Sequence, residues 1–208
     1  MKIAVICEYS GTVRDAFTKL GHDASSFDIL PSESPGKHYQ GDIMQLPLDY
    51  WKQFDLAICH PPCTYLTVTG NKWYYHPEDK GLPLEERRPH PKFPNRKNDR
   101  EEAVKFFIYL SQLPIEKIAI ENPVGIISTR WRKPDQIIQP YEYGHVESKK
   151  TCLWLKNLPK LIPTKIVNPD KITYENGKTF GKWYAWKSAK ERSKTFEGIA
   201  EAMANQWG

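Results

Sequence analysis

No stretch of the sequence approaches the ~20 consecutive apolar residues that a membrane-spanning helix needs, and no fixed period of self-similarity marks a repeat protein. The opening run Met1-Lys2-Ile3-Ala4-Val5-Ile6 is too short for a signal-peptide core and has no cleavage site behind it. It is read as the first strand of a soluble, cytoplasmic protein with no membrane partner. Cysteine is scarce: Cys7, Cys59, Cys63 and Cys152 are the only four, and only Cys59 and Cys63 lie close together. Without a second pair there is no cysteine quartet for zinc, and a site that draws on His60, His76 or His90 is the lesser reading, so no metal is expected. The thiols are expected to be free, as in a reducing compartment. The 208 residues leave no room for a large second domain.

Charge of both signs is present, with a formal net of +5, too mixed for a wholly disordered chain. Its distribution is uneven. Between Lys149 and Lys194 twelve Lys or Arg face only Asp170, Glu175 and Glu191, and Trp154, Tyr174, Phe180, Trp183, Tyr184 and Trp186 are interleaved with them. Phosphate neutralisation and base stacking both use that mixture. A solvated edge sheet over buried aromatics has the same composition, and composition alone leaves the two readings open. Seventeen prolines predict long ordered loops.

The periodicity predicts an open α/β sheet. Apolar runs at Lys2 to Ile6, Asp23 to Phe27, Phe54 to Cys59 and Lys117 to Ile120 read as strands. Thr12-Val13-Arg14-Asp15 has the form of a capping box, followed by Val13, Ala16, Phe17 and Leu20 at helical spacing and by Gly21 as terminator. Ala103, Val104, Phe106, Phe107 and Leu110 predict a helix over 101–110. Residues 29–41 read as a loop, and 64–99 as a long, basic, proline-punctuated insertion of the kind that is functional or mobile. Thr151 to Leu155 and Leu161 to Val167 read as strands with turns at Asn157, Pro159 and Asn176-Gly177, and 196–206 as a last helix. In such sheets ligands bind beyond the carboxyl ends of the strands. Cys7, Asp28, Cys63 and Glu121 all fall there.

His60-Pro61-Pro62-Cys63-Thr64 directly follows a buried strand. Two prolines fix the backbone and remove two donors, which holds the following thiol at the mouth of the sheet. A cysteine there is either a nucleophile in a polar setting or an inert turn residue. Glu121-Asn122-Pro123 follows the next strand. A carboxylate at that place needs a partner or a task; in a partly desolvated pocket its pKa is expected to rise, so that it donates a proton.

Pro61-Pro62-Cys63 and Glu121-Asn122, in this order and context, resemble the nucleophile and Glu-Asn motifs of cytosine-5 DNA methyltransferases. Tyr9-Ser10-Gly11-Thr12-Val13 resembles that family's Phe-x-Gly-x-Gly loop, with Val13 in place of the second glycine. Gly41-Asp42-Ile43 resembles its Gly-Asp-Ile segment, 143–149 its base-holding segment with Lys149 where arginine is usual, and 196–203 its C-terminal helix. Short variants of this kind, without a full target-recognition domain, resemble methylase-like proteins of phages and prophages. The resemblance implies a Rossmann-like S-adenosylmethionine-dependent methyltransferase fold over 1–208, with a mostly parallel sheet. It also implies a catalytic-loop insertion at 64–99 and a reduced basic substrate-binding segment at 150–190.

The resemblance further implies transfer of a methyl group from S-adenosylmethionine to carbon 5 of cytosine, in single- or double-stranded DNA, inside a bacterial or phage-infected cell. Cys63 would attack carbon 6, Glu121 would bond to ring nitrogen 3, Asn122 would orient Glu121, and Lys149 would contact the base. Tyr9, Ser10, Gly11, Asp28, Asp42 and Pro61 are the expected cofactor contacts. Lys72, Arg87, Arg88, Lys150 and Lys182 are the expected nucleic-acid contacts. Two alternatives stand beside this: a nucleic-acid-binding protein that kept the fold without catalysis, and a methyltransferase acting on a nucleotide.

Overall fold

Alternate residues of the first strand serve two different cores. In the computed structural model, which describes residues 1–181 and 188–208, β1 (Lys2–Ile6) sends Ile3 and Val5 to one face of a sheet and Ala4 and Ile6 to the other. This is the two-residue period of a strand buried on both sides. The same alternation runs through β4 (Leu56–Cys59) and β5 (Lys117–Pro123). On the first face lie α1 (Thr12–Lys19) and α5 (Glu197–Trp207), with Val13, Phe17, Ile199 and Met203 against Leu56 and Ile58. On the second lies α2 (Arg96–Ser111), whose Val104, Phe107 and Leu110 meet Trp51, Ile120 and Trp154.

The remaining strands complete one seven-stranded sheet. They are β2 (Asp23–Asp28), β3 (His38–Gln40), β6 (Gln136–Ile138) and β7 (Thr151–Lys156), and the order is β3-β2-β1-β4-β5-β7-β6. β3, β2, β1, β4 and β5 pair parallel; β7 runs antiparallel to both β5 and β6. This is the 3-2-1-4-5-6 order of a doubly wound sheet with one reversed strand inserted, the Rossmann-like fold of methyltransferase type that the motifs led one to expect. The strand order reverses between β1 and β4, and the carboxyl ends at such a reversal are where ligands bind in sheets of this kind.

Several local expectations need correction. The capping box at Thr12 does not form. Gly11 at φ 80° precedes the helix, and the amides of Val13 and Arg14 are taken by the Glu8 carboxylate instead, at 2.6 and 3.2 Å. Asp15 turns away to bond with Arg14 and Ser34. The stretch 29–41 contains β3, and α2 begins at Arg96, well before Glu101. Leu161 to Val167 is not a strand, because β6 already occupies the sheet edge next to β7. Only Lys165 bridges, to Tyr143, and Ile162 and Ile166 stand exposed. The segment 150–190 begins inside the sheet as β7, with Trp154 buried in the core. Only beyond it does a separate hairpin form, from β8 (Lys171–Thr173) and β9 (Thr179–Gly181).

The insertion at 64–99 is packed. It holds 3-10 turns at Val68–Trp73, Pro77–Gly81 and Leu84–Glu86. Arg96 is buried against the rings of Tyr65, Tyr74 and Phe93 and donates to the Thr64 carbonyl at 2.8 Å. Arg100 sits 3.7 Å from the centre of the Tyr74 ring and donates to the Tyr65 carbonyl. Desolvated cation–π contacts of this kind replace the apolar core such a polar stretch lacks.

A buried charge also fixes the loop after β2. Arg14 is 1% exposed and donates to Asp15, to the hydroxyls of Ser26, Ser32 and Ser34, and to the carbonyls of Ser34 and Pro35. Replacing Arg14 by Met keeps the aliphatic stem and strips those bonds. We expect a loss of about 3 kcal/mol in urea denaturation, with proteolytic nicking concentrated at 29–37. An unchanged midpoint would show that the loop is held by other contacts.

Candidate active site

The site starts from the turn after β1. Cys7 takes a left-handed φ of 60°, uncommon for a residue with a side chain, and its amide bonds to the Phe27 carbonyl at 2.7 Å. That turn carries Glu8 beneath the start of α1. Glu8 is 4% exposed, and burial pushes its carboxyl up, while the charge of His60 and the amides of Val13 and Arg14 pull it down; the balance lies above the ordinary value.

β4 and β5 bring the next residues together. They pair in register, Cys59 opposite Ile120, so the residues after Cys59 run beside Glu121 and Asn122. The His60 amide continues the sheet by donating to the Ile6 carbonyl at 2.8 Å, and its Nδ1 lies 3.4 Å from Oε2 of Glu121. Asn122 is buried and its Nδ2 donates to the Pro61 carbonyl at 2.8 Å. Cys63 then heads a tight turn whose carbonyl accepts from the amides of Leu66 and Thr67, both at 3.0 Å. The chain leaving β5 closes on the same turn just before the short α3 (Ile127–Arg130), with Ile126 donating to the Leu66 carbonyl at 2.8 Å. A Cβ at Gly125 would press on that carbonyl, so glycine is what permits the close approach.

The electrostatics correct one expectation. Burial does act to raise the Glu121 carboxyl, but the His60 bond and the charges of Lys149 and His60 outweigh it, and the group sits below the ordinary value. The surroundings of Glu121 thus favour its ionised form. The Cys63 thiol is pushed up, first by burial and then by the negative charge of Glu121, against the opposing cations Lys149 and Arg192. The other thiols are held still more firmly in the neutral form: burial, with Glu121 adding to it, raises Cys152 to about 11, and burial with the charges of Asp28 and Asp42 raises Cys7 further. Cys63 is partly exposed, whereas Cys59 and Cys152 are buried. Lys149 reaches the site from the chain before β7, and its Nζ donates to the Arg192 carbonyl at 3.0 Å.

Sequence reasoning passed over two of these residues as actors. In the sequence His60 reads only as a possible metal ligand, although a titratable side chain at a strand end near a fixed thiol is itself a signal. Arg192 had none, because it reaches Cys63 from the far end of the chain through α4 (Ala189–Ser193). Among the described residues, no group of three or more His, Cys, Asp or Glu is placed to hold a metal ion.

The expected cofactor contacts line the adjoining strand ends. Asp28 closes β2 half-buried, with burial raising its carboxyl, and accepts from the Leu30 amide at 2.9 Å. Asp42 is exposed and accepts from the Met44 amide at 2.9 Å. Ile29, Leu30 and Met44 stand exposed beside these carboxylates. An acidic group at the end of the second strand suits a ribose hydroxyl, and apolar side chains around it suit an adenine ring. The first turn of α1 is already occupied by Glu8, so a phosphate has no free helix terminus there. That donor set fits S-adenosylmethionine, which carries no phosphate. Tyr9 and Ser10 are turned to neighbours: the Tyr9 hydroxyl donates to the Lys190 carbonyl, and Ser10 lies between Glu8 and Thr12. Pro61 is buried under Asn122.

The expected nucleic-acid contacts divide. Lys72 and Lys150 are exposed, Lys72 with its Nζ 4.9 Å from the centre of the Trp73 ring. Arg87 donates to the carbonyls of Leu82 and Lys80, and Arg88 is clamped by Asp79 with Glu78 alongside. These two arginines brace the insertion. Lys182, with Trp183, Tyr184 and Trp186, lies outside the described residues.

No protein-family profile matches the chain, and no curated protein matches it. Among solved structures, a protein provisionally described as a DNA modification methyltransferase encoded within an E. coli prophage overlays on 81% of this chain and 52% of its own, at 14% identity and a TM-score of 0.47. The chain spans about half the length of that protein. So distant a likeness carries no weight by itself, and the fold stands on the strand order described above.

The arrangement predicts a slow thiol that can be tuned. Alkylation of Cys63 by iodoacetamide should accelerate toward alkaline pH, with a midpoint above that of an ordinary thiol. At any one pH, Glu121→Gln should be faster, because a repelling charge is gone, and Lys149→Met slower. Peptide mapping by mass spectrometry checks both. Equal rates in the three proteins would mean that the charges do not act on Cys63.

Proposed function

We propose that the chain is a DNA cytosine-5 methyltransferase that works through a covalent Cys63 adduct. The observation that carries this reading is the pairing of a partly exposed thiol and a partly buried carboxylate on adjacent parallel strand ends, fixed by the Asn122 bond to Pro61. A nucleophile beside an acid, both at the carboxyl edge of such a sheet, suits addition to an electron-poor ring. S-adenosylmethionine, held by Asp28, Asp42 and the 8–11 turn, supplies an electrophilic methyl group at carbon 5. Cys63 adds to carbon 6, Glu121 bonds to ring nitrogen 3, and Lys149 and Arg192 favour the thiolate as it forms.

DNA is the proposed polymer. The exposed Lys72, Lys150, Lys171 and Lys178 provide phosphate contacts, and Tyr174 and Phe180 stand out from the β8–β9 hairpin, 43% and 50% exposed, as stacking surfaces. The target base must be flipped out of a duplex or met in a single strand. A second reading, DNA binding without catalysis, draws on the raised thiol and the ionised acid of the resting site.

Methyl transfer from labelled S-adenosylmethionine to single- and double-stranded DNA separates the two. The proposal expects label on carbon 5 of cytosine, none with Cys63→Ser, and a loss of about 100-fold or more with Glu121→Gln. DNA binding with no transfer by the wild type, or label on the exocyclic amine, would overturn it.

A further inference from the structure

We propose that His60 is the proton store of the site. Its Nδ1 proton passes through Glu121 to ring nitrogen 3 of the bound cytosine as Cys63 adds, and returns by the same path when Cys63 leaves. This rests on the cytosine reading above and answers a difficulty that the geometry raises. An ionised Glu121 has no proton to donate, yet nitrogen 3 needs one if negative charge is not to build up on the ring. The group in contact with the Glu121 carboxylate is the His60 imidazole, 3.4 Å away, and a contact between Nδ1 and a carboxylate oxygen calls for the hydrogen to be on Nδ1.

The imidazole is built to stay there. Its side chain is 7% exposed, its backbone is tied to β1 through Ile6, and Pro61 and Pro62 follow it. Its Nε2 is buried with no hydrogen-bond partner among the described residues. Such an orphaned ring nitrogen is costly in a residue kept only for packing. The charged groups around it are Glu8 from the turn after β1, Glu121 from β5, and, acting on Glu121 and Cys63, Lys149 and Arg192 from the C-terminal half. Lys149 is engaged with the Arg192 carbonyl.

The step balances. The route starts from His60 as imidazolium beside the Glu121 carboxylate, so that Nδ1 can give up its proton while Nε2 keeps its own. A bound base expels water, and the neutral pair gains on the ion pair as solvation is lost. The proton moves to Glu121 and on to nitrogen 3 as the Cys63 thiolate adds to carbon 6 and the double-bond electrons move to carbon 5. Carbon 5 would then take the methyl group that S-adenosylmethionine supplies and give up its hydrogen to water as a proton; the thiolate leaves, and the proton on nitrogen 3 returns to Glu121 and to His60.

His60→Asn tests the route. The Asn amide can place an N–H near the position of Nδ1 and keep the bond to Glu121, but it has no proton to give. A bracing role for His60 would be rescued by Asn and a proton-carrying role would not. We expect kcat for methyl transfer to fall about 100-fold, with KM for DNA and Tm close to wild type. The wild-type kcat should rise with pH as thiolate forms and fall again as the pair loses its proton; the variant should lack the falling limb. Wild-type transfer with an unaltered rate and profile in His60→Asn overturns the proton route alone. No wild-type transfer to cytosine overturns the reading of the site and the route with it. Should the Asn variant not fold, His60→Gln takes its place. A wild-type kcat that still climbs at about pH 10 contradicts the route without any variant.

Discussion

The parallel pairing of β4 with β5 is the contact on which the rest of the site depends. It sets Cys59 opposite Ile120, so the two chains emerge side by side, one carrying His60 to Cys63 and the other Glu121 to Gly125. Every later contact follows from that register: imidazole to carboxylate, the Asn122 amide to the Pro61 carbonyl, the Ile126 amide to the Leu66 carbonyl. A shift of one residue would turn Glu121 into the core and bring Ile120 to the mouth. The antiparallel β7 on the other flank guards against such a slip, since it pairs with β5 from Ile118 to Pro123 and places Glu121 opposite Leu153.

Within that frame the charges are arranged as a series. Glu8 neutralises the start of α1, His60 stands near both Glu8 and Glu121, and Lys149 and Arg192 face Glu121 and Cys63 from the C-terminal half. The site at rest is thus an ionised carboxylate beside a neutral thiol. Burial and the Glu121 charge hold the nucleophile in its neutral form, and the cations Lys149 and Arg192 are what act against them. The C-terminal segment takes part in the same arrangement: Tyr9 donates to the Lys190 carbonyl and Glu33 pairs with Lys190 and Lys194, so α4 ties the turn after β1 to the chain that bears Arg192.

The sequence made the central strands legible because they are short apolar runs that end in chemistry-bearing residues, and Cys63 and Glu121 could be paired from those ends. What it hid depends on contacts distant along the chain. The Thr12 box failed because Glu8 reached the helix amides first, a competition decided by the turn at Cys7. The insertion 64–99 looked like a basic loop, but its order comes from Arg96, Arg100 and Arg88 meeting aromatic rings and Asp79, which no periodicity records. Leu161 to Val167 has a strand's composition, but the place beside β7 is already taken by β6. Glu121 was expected to be protonated because burial is readable from its place at a strand end, whereas the opposing His60 and Lys149 come from other elements.

The most direct test of the central claim is covalent capture. DNA containing 5-fluorocytosine presents a ring whose carbon-5 fluorine cannot leave as a proton, so an adduct formed in the presence of S-adenosylmethionine should persist. The account predicts a stable protein–DNA species by intact mass, with the modified cytosine mapped to Cys63 and lost in Cys63→Ser. Label transferred to ordinary cytosine with no trapped adduct, or an adduct on another cysteine, would contradict it.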